Sequence, residues 1–198
     1  YGKTILGRLN GSSNKIEIAY CQNSSIEYIK NANIDARYSC LKITDSGNLN
    51  LDANYTDVTL NDGQNIKYSC NYGTFKFQKI NSLSGSANYL TISIGEISSS
   101  FNFDTNYSKI SVKTITEKAG NISINSGYTD VSLGFDPNYA FDFDISGRYS
   151  NIKPDNALDI SVSETKSNTK RISGFYKKKG QNKININTNY GSVSVLKN

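Results

Sequence analysis

The chain reads as an all-β protein wound as a single-stranded parallel β-helix, a β-solenoid, and three observations predict it. A tyrosine returns at a near-fixed interval as Tyr38, Tyr55, Tyr72, Tyr89, Tyr107, Tyr128, Tyr149 and Tyr190, the last gap spanning two periods. Columns of one residue class keep a fixed offset from it. Between the columns lie short polar turns rich in Gly and Asn. Stacked coils touch at equal positions, so they hold one residue type at one phase. A sandwich or barrel of antiparallel strands also shows frequent turn signals, but has no reason to hold that phase.

Each coil can be justified element by element. Six residues before the tyrosine stand Ala32, Leu49, Ile66, Leu83, Phe101, Ile122, Phe143 and Ile184; four before stand Ile34, Leu51, Tyr68, Gly85, Phe103, Ile124, Ile145 and Ile186. Two before, the residues are small: Ala36, Ala53, Cys70, Ala87, Thr105, Ser126, Gly147 and Thr188. These positions and the tyrosine share one parity, as one face of a strand must. Apolar residues three and five places after the tyrosine, such as Leu41 and Ile43 or Val58 and Leu60, have the other parity. The chain must therefore turn a corner just after the tyrosine, where Ser39, Thr56, Gly73, Ser108, Thr129, Ser150 and Gly191 supply turn chemistry. This reading places the tyrosine ring inside a narrow coil, with the small residues making room for it, and stacks the rings between coils about 4.8 Å apart.

One domain of roughly nine coils and about 40 Å is expected over residues 1–198, right-handed as parallel crossovers usually are. Residues 1–30 do not keep the phase and read as an N-terminal capping coil. Residues 31–154 are the regular coils. Residues 155–183 contain an irregular coil and a protruding basic hairpin, and 184–198 form the last coil.

Composition bounds the function. Apolar residues make up 36% of the chain, enough when only inward columns need filling. No stretch approaches the ~18 apolar residues of a membrane helix, so no transmembrane segment is expected. A start at Tyr1 without any Met reads as a mature or trimmed fragment. The absence of histidine excludes Ser-His-Asp and Cys-His nucleophile systems and histidine-ligated zinc; no cofactor or metal motif is present. Three cysteines leave at least one thiol free or shared between chains. Cys70 falls in the inward column as a buried thiol, Cys40 and Cys70 are poorly placed to bridge, and a Cys21–Cys40 pair stays open.

Two surface features are candidates for function. Basic side chains alone occupy the charged positions from Lys166 onward, whereas every acidic residue of the chain precedes it. Lys177, Lys178, Lys179, Lys183 and Arg171 are therefore candidate ligand-binding residues for an anionic partner such as an acidic polysaccharide. The competing reading is a solvated lysine cluster that blocks strand-on-strand association. Nucleic acid is not the expected partner, because Arg171 alone among these residues offers a bidentate fork. The second feature is carboxylate chemistry on the outer face: Asp35, Asp52 and Arg37, or Asp142, Asp144 and Arg148. Ordinary solvated aspartates on alternating strands explain the same residues. Asn54, Asn71, Asn88, Asn106 and Asn189 form a further outward column suited to an amide ladder. The scarcity of outward aromatics argues against a sugar-stacking cleft.

The series ANYTDVTL, CNYGTFKF, TNYSKISV, SGYTDVSLGF, GRYSNIKP and NTNYGSVSV resembles the bacterial "putative adhesin" β-solenoid domains of exported Gram-negative envelope proteins, over about residues 31–198. The resemblance implies a parallel β-helical domain, secreted or on the cell surface (periplasm or cell envelope). It implies a non-catalytic adhesin-like role, binding glycans or other envelope components, and carries over no catalytic residues. Two alternatives remain: a pectinase-like carbohydrate-active enzyme using the outward Asp and Arg residues, and a purely structural envelope scaffold.

Overall fold

In the computed structural model, which describes residues 2–198, the strands follow from period-2 alternation of apolar and polar residues. They are β1 (Ile5–Leu9), β2 (Asn14–Ala19), β3 (Ser24–Arg37), β4 (Cys40–Ile97), β5 (Phe101–Asn106), β6 (Lys109–Ile115) and β7 (Ile122–Gly127). There follow β8 (Asp130–Phe135), β9 (Phe141–Arg148), β10 (Asn151–Pro154), β11 (Asp159–Lys166), β12 (Thr169–Tyr176), β13 (Asn182–Asn189) and β14 (Ser192–Lys197). There is no helix among the described residues, and hence none long and apolar enough to cross a membrane. All fourteen strands belong to one sheet, and every pairing in it is parallel except β9 with β12 and β11 with β12.

Register shows why equal positions touch. Along the first part of the chain Asn14 pairs with Ala32, Ser24 with Leu41, Leu83 with Phe101 and Phe101 with Ile122, each residue meeting its equivalent one repeat later. The long run β4 winds through several turns of the stack, its Asn65 and Asn71 side chains meeting Asn48 and Asn54. The inward columns close over a continuous core containing Leu49, Leu51, Phe75, Phe101, Phe103, Ile110 and Leu133. Gly85 makes space for the Tyr68 ring, which lies 2.7 Å from where a Cβ would stand.

Three points differ from the sequence reading. First, residues 14–30 are in phase: β2 pairs along β3, and Tyr20 takes the tyrosine position. The phase is hidden in the sequence because the segment after Tyr20 is one residue longer, so that Ser24 rather than Asn23 opposes Leu41. Second, the last coil does not follow β9 and β10 in space. β13 lies between β7 and β9, and β14 lies between β8 and β10. Third, β12 runs antiparallel along the far side of β9 and β11 along β12, so the hairpin of residues 155–183 closes one end of the stack. Every residue of β11 is exposed.

Candidate ligand-binding ridge

The tyrosine sits at the corner itself, not inside it. Each of Tyr20, Tyr38, Tyr55, Tyr72, Tyr89, Tyr107, Tyr128, Tyr149 and Tyr190 has a left-handed backbone, with φ between 50° and 61°. That conformation inverts the alternation at one residue. The ring swings outward, and the next side chain turns in.

At five corners the inward residue carries a hydroxyl, whereas Leu90 follows Tyr89 and Cys21 follows Tyr20. Ser39 Oγ donates to the Arg37 carbonyl at 2.7 Å, Thr56 Oγ1 to that of Asn54 at 2.9 Å, Ser108 Oγ to that of Asn106 at 2.8 Å and Thr129 Oγ1 to that of Gly127 at 2.8 Å. Each hydroxyl also accepts a backbone N–H from the adjacent coil: Cys21 onto Ser39, Ser39 onto Thr56, Leu90 onto Ser108 and Ser108 onto Thr129. Ala36 and Ala53 precede the Ser39 and Thr56 corners and make room for these hydroxyls rather than for a ring. Where the corner residue is Gly73 or Gly191 the backbones close up, and a Cβ would collide with the carbonyl oxygen of Thr56 or Thr129.

Outside, the nine rings stack nearly parallel, with centroids 4.6 to 5.1 Å apart and planes within 8°. The ridge follows the stack from Tyr20 through Tyr38, Tyr55, Tyr72, Tyr89, Tyr107 and Tyr128 to Tyr190, and ends at Tyr149. Each of these tyrosines is 43 to 55% exposed. Ring faces cover one another, so edges and phenolic hydroxyls meet solvent. The expected scarcity of outward aromatics is thereby overturned.

A bulky residue in the left-handed region costs on the order of 1–2 kcal/mol. Offset stacking returns about 0.5–1.5 kcal/mol per pair beyond the area each ring buries, so ring packing offsets the strain. Asn or Gly would hold the same corner without strain. Tyrosine at nine such positions leaves a continuous row of exposed ring edges and hydroxyls.

Beside the ridge, amides form a chain: Asn106 Nδ2 donates to Asn88, Asn88 to Asn71, Asn71 to Asn54, and Asn54 to Asp52. The same outer face carries two grooves of about 400 and 440 Å³, the first with Lys15, Asp35, Asp52 and Lys67 around a largely apolar floor that includes Leu51 and Tyr68, the second lined by Asn88, Asp104, Asn106 and Asn125. The second groove offers amide donors and acceptors, and the first carries charge of both signs.

The outward acid and arginine sets are engaged with protein groups. Arg37 forms a two-pronged pair with Asp35, both contacts at 2.9 Å. Asp52 lies opposite Asp35 on the adjacent coil. Asp142 accepts the Gly180 N–H, and Arg148 lies over the Tyr149 ring at 5.4 Å. Arg171 holds Asp144 through two contacts of 3.0 and 2.8 Å, and these hydrogen bonds keep the Asp144 carboxyl below its ordinary range. A carboxyl so held is ionised at neutral pH and has no proton to donate. No group of three or more His, Cys, Asp or Glu is placed to hold a metal ion among the described residues.

The basic residues are distributed over the closed end. Arg171 is committed to Asp144, Lys177 Nζ donates to Asn138 Oδ1 at 3.0 Å, and Lys179 lies 4.7 Å over the Phe175 ring. Lys179 and Lys183 line a shallow groove with Asp142 and Asp144, and Lys178 is exposed. The groove therefore carries both signs of charge. All three thiols are free; burial pushes Cys70 up to about 12.

Comparison of the chain with models of known protein families, with curated proteins and with solved structures finds no match.

Proposed function

We propose that this chain is a right-handed β-solenoid acting as a non-catalytic, adhesin-like binding rod of the cell envelope or cell surface. Its ligand is a polysaccharide lying along the tyrosine ridge and the neighbouring amide face. The observation that carries the reading is the row of nine exposed tyrosines held in a strained backbone. The hydroxyls, amides and grooves of that side repeat along the stack and favour an extended ligand over a small one, each contact weak and the row additive.

The test is retention on a panel of neutral and acidic polysaccharides at low and high salt, with newly released reducing ends measured in the same tubes. Tyr55→Asn with Tyr72→Asn keeps the left-handed corner and removes two rings; it should reduce retention at least tenfold, with little salt dependence. Salt-sensitive retention abolished by charge reversal at Lys177, Lys178 and Lys179 would move binding to the basic end. Released ends would overturn the non-catalytic assignment. No retention of any kind would leave the rod a scaffold.

A further inference from the structure

We infer that the gap between the β7–β8 coil and the β9–β10 coil is a docking slot for residues 182–197, and that it accepts this segment from a second copy of the chain as well as from its own. The chain passes from β8 to β9 through residues 136–140, at the strand ends away from the tyrosine corner. That step skips one coil position. The skipped position is filled by β13 and β14, which arrive after the hairpin of β11 and β12.

The slot matches this segment on both sides. Ile184 and Ile186 lie in register with Ile122 and Ile124 on one side and with Phe143 and Ile145 on the other, all within the core. Val193 and Val195 do the same between Val131 and Leu133 and the β10 strand. Tyr190 slides between the rings of Tyr128 and Tyr149 and completes the ridge. A second copy offers the identical columns, so the exchanged assembly repeats every one of these contacts.

The hinge favours exchange. Residues 177–181 carry the chain from β12, beside Phe141 on one flank of β9, to Asn182, which is paired with the same Phe141 on the other flank. Within that short crossing Lys177 is left-handed at φ 62° and Gly180 at φ 74°, and three lysines stand consecutively. Short strained hinges are those from which a terminal element swaps between copies. In an exchanged pair the hinge can straighten and the three like charges separate.

The decisive experiment uses two chains in a background with Cys21 and Cys40 changed to Ser. One carries Ser123→Cys and the other Asn185→Cys, positions in register across β7 and β13. The two are unfolded, mixed, refolded at high concentration and mildly oxidised. A covalent heterodimer is expected, increasing with concentration and decreasing when Gly-Ser-Gly-Ser is inserted after Lys178 to relax the hinge. The chain carrying both cysteines, refolded dilute, should close its bond internally and stay monomeric, which checks the pairing geometry. If that control closes while the mixed single variants remain uncrosslinked and monomeric by light scattering at every concentration, the exchange is wrong. A heterodimer that the relaxed hinge leaves undiminished would also overturn the hinge argument, since it would report contact between intact rods.

Discussion

The stretch from β2 to β6 and the stretch from β7 onward use the same columns, yet they are assembled differently. In the first, neighbours in sequence are neighbours in space, and each coil rests on the one before it. In the second, β13 and β14 separate two coils made earlier, and an antiparallel hairpin closes the end. A repeated pattern therefore states which residues are equivalent, while the order of the coils depends on connections that the pattern does not contain.

Substitutions at matched positions should separate the two regions most strongly. Ile186→Asp places an unpaired charge between two buried neighbours in the filling coil. It should cost at least about 4 kcal/mol, or unfold the end of the stack, by urea titration. Ile16→Asp has the same phase on β2, where the side chain is only partly buried, and should cost about 1 kcal/mol. Equal losses would mean that the two regions do not differ in the support each coil receives.

Next come the two corner glycines. Gly73→Ala in the ordered stretch and Gly191→Ala in the inserted coil each bring a Cβ against a carbonyl oxygen. Both should lose about 1–3 kcal/mol. Similar values would show that the corner geometry is indifferent to coil order.

Acid should loosen the closed end before the middle of the stack. Asp144 is held below its ordinary range by hydrogen bonds from Arg171, and Asp155 by backbone N–H groups of Ala157 and Lys197. A depressed folded value stabilises the fold at every pH above the unfolded value of ~3.9 and is lost as pH falls through the folded value. Hydrogen exchange of β12 and β14 should be flat from pH 7 to 5 once corrected for intrinsic rates. It should rise below about pH 4, ahead of β5 in the middle of the stack. A uniform rise along the whole rod would remove these two carboxylates from the account.

The smallest effect concerns the end of the ridge. Tyr149 Oη accepts from Asn168 Nδ2 at 2.8 Å, and the Tyr149 N–H donates to the Asn168 carbonyl at 2.7 Å. Tyr149→Phe should lose about 0.5–1 kcal/mol in thermal unfolding, because a partnered hydroxyl is removed. Tyr72→Phe should lose nothing measurable.

Much of the stack was legible in the sequence. The columns headed by Leu49, Leu51, Leu41 and Ile43 are buried as alternation and a corner require, and the ring spacing follows the distance between paired strands. The orientation of the tyrosines was not legible by parity, because one left-handed residue reverses the alternation. The Ser, Thr or Gly after seven of the nine tyrosines, together with the small residue two places before, is the signal that could have shown it: a buried hydroxyl needs that space. Tyr20 was hidden by one extra residue. The placement of β13 was hidden because Ile184 and Ile186 fit any coil of the stack equally well.

The skipped coil position gives the chain a direction in time. When the polypeptide is delivered amino end first, β9 and β10 stand without their inner neighbours until the segment around Tyr190 arrives. A chain interrupted anywhere between β10 and β13 keeps an open cleft with bare strand edges and apolar walls. Closure of the stack thus waits on β13 and β14, the last strands to be made and among the innermost to be placed.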